Sequence, residues 1–142
     1  MAAIATLAQK IQDSFVKQSM MATMGAELTE ITEGSVTIRA PVLPSCQQQH
    51  GYGHAALTFG LGDSAAGYSA LSIMPKEAEV LTSEMKIHLL APAQGDMLEA
   101  VGKVIKPGRR LVIVQAEVFA IMGANRTQIA LMTGTMVPIL PK

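Results

Sequence analysis

The sequence predicts a single α+β domain in which a curved antiparallel sheet of six strands wraps around a long central helix. Three observations carry that reading. Residues 54–73 form a helical run of about 20 residues, roughly 30 Å long, with small or apolar side chains on every side, from Ala55 and Phe59 through Leu61 and Ala66 to Leu71. A helix without a polar face belongs in the middle of a fold. Two strand-like runs precede it and four follow, with no further helical pattern. The chain has 142 residues, the length of one domain able to bury most of the surface its unfolded form exposes, so the domain is expected to span residues 1–142. Curling the strands around the helix is the arrangement that buries it on most sides.

Taken in order, residues 3–18 place Ile4, Leu7, Ala8, Ile11 and Phe15 at helical spacing, with Gln9, Lys10, Gln12 and Asp13 on the other face. They predict a short amphipathic N-terminal helix that serves as a lid or brace. Residues 26–31 and 36–42 switch to a two-residue period, with Val36, Ile38 and Ala40 alternating against Thr37 and Arg39, and Glu33-Gly34 between the runs makes a hairpin turn. Pro41 and Pro44 end the second strand and open a loop through Cys46 and three Gln. Gly51 and Gly53 hold that loop out of helix until His54, and Met74-Pro75 stops the central helix. The four later runs cover residues 80–90, 97–105, 111–119 and 128–137. Their separators, around Pro92 and Gly95, Pro107-Gly108 and Gly123-Ala124-Asn125, predict antiparallel meander connections.

Composition narrows the function classes. Eleven basic residues balance eleven acidic ones and only 15% of residues are charged, which leaves no electrostatic footprint for nucleic acid or an acidic membrane surface. A hydrophobic fraction of 49% with ten Met and no Trp is more than a compact monomer needs, and implies an oligomer with buried subunit faces. One Cys excludes an internal disulfide framework and points to a reducing compartment, so a cytoplasmic location is expected. Lys10 and Asp13 break the N-terminal apolar run, which therefore lacks a signal-peptide core. Asp63 and the glycines at 60, 62 and 67 make the central helix a poor membrane span, so no membrane partner is expected. His50 and His54 stand four apart, but the glycines between them argue against helix there, and neither a metal site nor a cofactor is expected.

One residue breaks the rule of the central helix. Asp63 sits near its middle, and carboxylates are almost never buried unless they are paired or chemically employed. The segment HAALTFGLGDSAAG, within this order of elements, resembles the hotdog-fold acyl-CoA thioesterases, specifically the phenylacetate-pathway type, over residues 20–138. In that family a loop Asn or Gln lies six residues before a His-Gly-Gly that opens the helix, and an Asp or Glu follows nine residues after the His. Gln48, His54 and Asp63 keep both spacings here. A family strand also carries a Ser or Thr ahead of an apolar run that ends in a Pro-Ala turn, and Thr82 before MKIHLLAPA matches it. The chain departs from the pattern at Ala55-Ala56, where the family has two Gly, so a Cβ occupies space that Gly leaves open while the N–H remains.

Hydrolysis of a thioester needs a polarised carbonyl, donors for the oxyanion, and a carboxylate or other base to activate water. The first-turn N–H groups of Ala55 and Ala56 point outward at the positive end of the helix dipole and can serve as donors, with Gln48 adding a side-chain donor. Asp63 is then the base that activates water or the nucleophile that forms an acyl-enzyme anhydride, and the sequence leaves both open. Each of these residues also has a plainer reading. Asp63 can be a buried carboxylate bonded to a backbone N–H or a Ser, His54 a hydrogen-bonder at the helix start, and Thr82 a strand residue with high β-propensity. Gln47 or Gln49 can face the site in place of Gln48. Lys106, Arg109 and Arg110 cluster at one turn, where such charges usually keep a loop wet; the resemblance implies that they hold the phosphates of coenzyme A.

Ala55 and Asp63 are eight residues apart, about 12 Å along a helix against a reach of roughly 3 Å between a base and its target. One helix therefore does not serve one carbonyl with both groups. The expected site lies between subunits, with Gln48 and Ala55 from one and Asp63 from its two-fold mate, and the resemblance implies a homodimer at minimum and a homotetramer as a dimer of dimers. Competing readings are a hotdog dehydratase, a non-catalytic acyl-CoA-binding module and an oligomer with a dead site. Hydratases of the fold carry a His five residues after their Asp, where this chain has Tyr68.

Overall fold

The structure is a computed structural model that describes residues 2–142, with the side chains of residues 6–142. Helix α1 (Ala2–Phe15) is followed by α2 (Ser19–Thr23), strands β1 (Glu27–Thr32) and β2 (Ser35–Pro41), and a 3-10 turn at Pro44–Cys46. The central helix α3 (Ala55–Leu71) comes next, then β3 (Glu79–Leu89), β4 (Met97–Lys106), β5 (Val112–Met122) and β6 (Asn125–Ile139). All six strands form one antiparallel sheet in the order β1-β2-β4-β5-β6-β3. The amphipathic N-terminal run stops at Phe15 instead of continuing to residue 18, because the chain turns at Val16–Gln18 into the short α2. Ile11 and Phe15 are buried as the spacing requires, whereas the side chain of Ile4 lies outside the described residues.

The alternation read in the strands is the alternation of burial. Val112, Val114, Ala116, Val118 and Ala120 all point into the core from β5, and Val36, Ile38 and Ala40 do so from β2. Helix α3 lies across β4 with β2 and β5 beside it, and buries Leu57, Leu61, Ala65, Ala66 and Leu71 against them. That close seating depends on small residues. A Cβ at Gly102 of β4 would fall inside the backbone of Ala65 and Ala66, and one at Gly62 would overlap the Met132 sulfur. On the opposite face of the sheet, Glu99 joins Arg39 and Arg126, each at 2.6 Å, and Arg126 stacks 3.5 Å above the ring of Phe119. Burial pushes the Glu99 carboxyl up, but the two guanidinium partners outweigh it and hold it below the usual range.

The meander expectation holds for β4-β5-β6 and fails for β3. Both edges of β4 are occupied, by β2 and β5, so β3 pairs with β6 at the far edge of the sheet. The segment after β3 crosses the mouth of the fold instead of turning back. There Ala93 O accepts from Gly53 N–H at 2.8 Å, and Asp96 O accepts from Val42 N–H at 3.1 Å. This crossing ties down the loop that opens α3. It also leaves β3 as an edge strand with most of its side chains exposed, among them Leu81 and Leu89.

Candidate active site

The predicted residues fall at two places on α3: Gln48, His54 and Ala55 in and beside the loop that opens it, and Asp63, hydrogen-bonded to Thr82, further along. Loop 46–54 folds into a small hairpin in which Gln47 bridges Gly53 and Gln48 N–H donates to Tyr52 O at 2.9 Å. Gly51, at φ +84°, takes the left-handed turn position that a side chain would strain. The Gln48 side chain accepts through Oε1 from the His50 backbone N–H. Only the amide oxygen can accept that proton, so the amide orientation is set and its NH2 group has no acceptor among the described residues.

His54 is the N-cap of α3. Its backbone is extended (φ −64°, ψ 146°) and its Nδ1 accepts from the Ala56 N–H at 2.9 Å, so Nδ1 is the unprotonated nitrogen. The expectation that both first-turn N–H groups are open therefore holds only for Ala55. The Ala56 N–H is consumed by the cap, while the exposed Ala55 N–H has no acceptor among the described residues.

Asp63 lies on the same side of the helix two turns further on, half-buried, with Oδ1 accepting from Thr82 Oγ1 at 2.7 Å. Antiparallel pairing of β3 with β6 sets the register that carries Thr82 to this point. Burial raises the Asp63 carboxyl above its ordinary range, and the Thr82 hydrogen bond opposes that rise without cancelling it. Oδ2 has no donor among the described residues. Asp63 and Thr82 line a cavity of about 280 Å³ between α3, β3 and the end of α1. A larger cavity of about 1070 Å³ lies under α1, but none of the predicted residues lines it. Lys10, at its wall, donates to Lys76 O at 2.6 Å and Ala78 O at 2.8 Å, an anchor for the chain leaving α3.

The basic residues join neither group within one subunit. Lys106, Arg109 and Arg110 are exposed in the β4–β5 hairpin and make no ion pair among the described residues. That hairpin sits at the end of the sheet where α3 finishes, since Val104 N–H donates to Gly34 O and Gly34 N–H to Ser72 Oγ. Sequence reasoning also missed three residues of the smaller cavity: Ser14, Gln18 and Tyr68, joined through the Tyr68 hydroxyl. Ser14 and Gln18 are about 50 positions from Tyr68 (54 and 50), a separation no local pattern reveals.

Among the described residues, no three His, Cys, Asp or Glu side chains come together as metal ligands. No described helix is long and apolar enough to cross a membrane.

Comparison with known proteins bears on the fold and the family. The family model of the thioesterase superfamily matches residues 50–124. Among solved structures, a thioesterase family protein from Silicibacter pomeroyi is 39% identical, with a TM-score of 0.93 over 95% of this chain and 99% of that one. The PaaI protein of the E. coli phenylacetic acid degradation operon superposes with a TM-score of 0.85 at 20% identity, covering 96% of this chain and 95% of its own. The BH2602 protein from Bacillus halodurans, solved with CoA, gives 0.77 at 22% identity over 96% and 93% of the two chains. No curated protein sequence matches. With residues 50–124 matched by the family model and a relative 39% identical over nearly its whole length, this chain belongs to the thioesterase superfamily and is a thioester hydrolase of the hotdog fold.

Proposed function

We propose that the protein hydrolyses small or medium acyl-CoA thioesters at a site shared by two copies of the chain. The observation that carries this reading is the separation of the two groups on one uncovered stripe of α3. Positions 55 and 56, 59 and 60, and 63 and 64 recur at a spacing of four and stay exposed or half-buried, although Gly60 faces Met24, while the rest of the helix is buried, mostly against the sheet and at Tyr68 against α1. A two-fold axis at Phe59 pairs each residue with the one equally far on its other side. Ala55, four before Phe59, then faces Asp63, four after it, on the partner. The small, exposed Ala55 and Ala56 keep the contact thin enough for close helix packing.

In that arrangement the thioester oxygen receives the Ala55 N–H and the Gln48 amide of one chain, at the positive end of the helix. His54 is a positioning residue, because its cap fixes the first turn. From the other chain Asp63 activates a water or attacks as a nucleophile through its free Oδ2, with Thr82 holding Oδ1. Lys106, Arg109 and Arg110 belong to the subunit that supplies Asp63. Thr82 pairs with Met136 and Met136 with Val112, two strand spacings or about 10 Å away, and the hairpin begins just beyond. Three cations there, without an ion pair among the described residues, suit the phosphates of CoA. The exposed apolar side chains of β3 fit a homodimer at minimum, and the composition fits further pairing into a tetramer. The lone Cys46 is free, which fits a cytoplasmic enzyme.

Free-thiol release from a panel of aliphatic and aromatic acyl-CoAs tests the reading. Wild type should turn over at least one, and Asp63→Asn should lose at least about a hundredfold, near 2.7 kcal/mol of barrier. An Asp63→Asn variant as active as wild type contradicts the assignment, and no turnover of any substrate favours an acyl-CoA-binding module.

A further inference from the structure

The cavity beside Asp63 has a second polar pole that the hydrolytic step does not use. Tyr68 follows five residues later on α3, about 7.5 Å along the axis, and is only 3% exposed. Its hydroxyl accepts from Gln18 Nε2 at 2.6 Å and stands 3.1 Å from Ser14 Oγ. The ring rests against Phe15, with centroids 6.2 Å apart, which fixes where the hydroxyl points. All three residues line the same cavity as Asp63, with Gly67, Val80 and Met136 forming an apolar wall.

This pole holds one donor and one acceptor more than its internal bonds use. The Gln18 amide fills one lone pair of the Tyr68 oxygen, and of the Tyr68 and Ser14 hydroxyls one donates to the other, in either direction. Whichever donates, one hydroxyl proton of the pair is left to give and Gln18 keeps a bare Oε1, with no partner for either among the described residues. A donor and an acceptor on one wall complement a hydroxyl, which is both. The linked bonds polarise one another and strengthen the terminal donor.

We infer that the Gln18–Tyr68–Ser14 chain reads a hydroxyl oxygen toward the far end of the acyl group, about five or six carbons from a thioester carbonyl held at Asp63. This rests on the hydrolytic reading above. Against it stands the plain role of bracing α1 and α2 to α3. The two differ in what a substrate sees. A brace serves every acyl group alike, whereas a reader leaves its donor and acceptor unpaired when the acyl chain ends in a methyl.

The test compares kcat/KM for hexanoyl-CoA and 6-hydroxyhexanoyl-CoA in wild type, Ser14→Ala and Tyr68→Phe. Wild type should favour the hydroxylated substrate by about tenfold, the scale of one added hydrogen bond, and both variants should bring the ratio close to one. Equal use of the two substrates by wild type overturns the inference and leaves the hydrolase standing. Variants that slow both substrates alike and keep the ratio assign the trio to bracing and overturn it too. Hydrolysis of neither, together with no turnover of the wider panel, overturns the acyl-CoA reading and this inference with it.

Discussion

Asp63 is where the two demands on the protein conflict. Its burial raises the carboxyl, so ionising it is less favourable in the folded chain than in the unfolded one. A carboxyl with a raised folded-state value stabilises the fold most when protonated, and that contribution is lost as pH rises through the raised value. At neutral pH Asp63→Asn removes the charge that burial disfavours. Thermal unfolding of this variant should therefore come no earlier than for wild type, and later if the desolvation cost dominates, even as turnover drops about a hundredfold or more. Activity needs the ionised form, so the acid limb of kcat/KM should lie above the ordinary aspartate value of about 3.9. Thr82→Val deletes the one hydrogen bond that opposes the rise and should move that limb to higher pH, while Thr82→Ser leaves it in place; a pH–rate profile of the three proteins decides. An unmoved limb in Thr82→Val would detach Thr82 from the chemistry.

At the scale of elements, the fit between α3 and the sheet rests on absent side chains, and the glycines along it differ. Gly102→Ala puts a methyl into the backbone of Ala65 and Ala66, which neither can yield without lifting the helix off β4. A loss of about 3 kcal/mol in denaturant unfolding is expected. Gly67→Ala meets only Met136, at 3.8 Å, and replaces a costly residue in mid-helix, so stability should rise by about 0.5–1 kcal/mol while the cavity beside Asp63 narrows.

These elements were legible in the sequence to different degrees. Helix α3 announced itself by lacking a polar face, and β2 and β5 by alternation that burial reproduces. Asp63 stood out as the exception in an apolar run. The place of β3 was not legible, because a crossing of the fold mouth and a hairpin carry the same Pro and Gly signals. The closure of the Ala56 N–H was hidden as well, since His is outside the usual run of N-cap residues. Nothing local marked Ser14 or Gln18, whose meaning comes from a tyrosine more than three elements away.

The whole molecule is incomplete as a single chain on the proposed reading. Its oxyanion donors and its carboxylate stand about 12 Å apart on one rigid helix, and no hinge between them brings them together. Phe59, half-buried at the centre of the uncovered stripe, is the position where a charge should separate two copies. Phe59→Glu should sediment as a monomer and lose thiol release, because desolvating an unpaired carboxylate at such a contact is prohibitive. A Phe59→Glu protein that stays monomeric and fully active would contradict the shared site. The most direct measurement mixes two defects. Asp63→Asn and Gln48→Ala are each expected to lose about a hundredfold in turnover, and co-expression lets them assemble together. Each mixed dimer then holds one site with the Gln48 and Ala55 of one chain and the intact Asp63 of the other, so random assembly should restore about one quarter of wild-type activity. A mixture no more active than its two parents would show that each chain works alone.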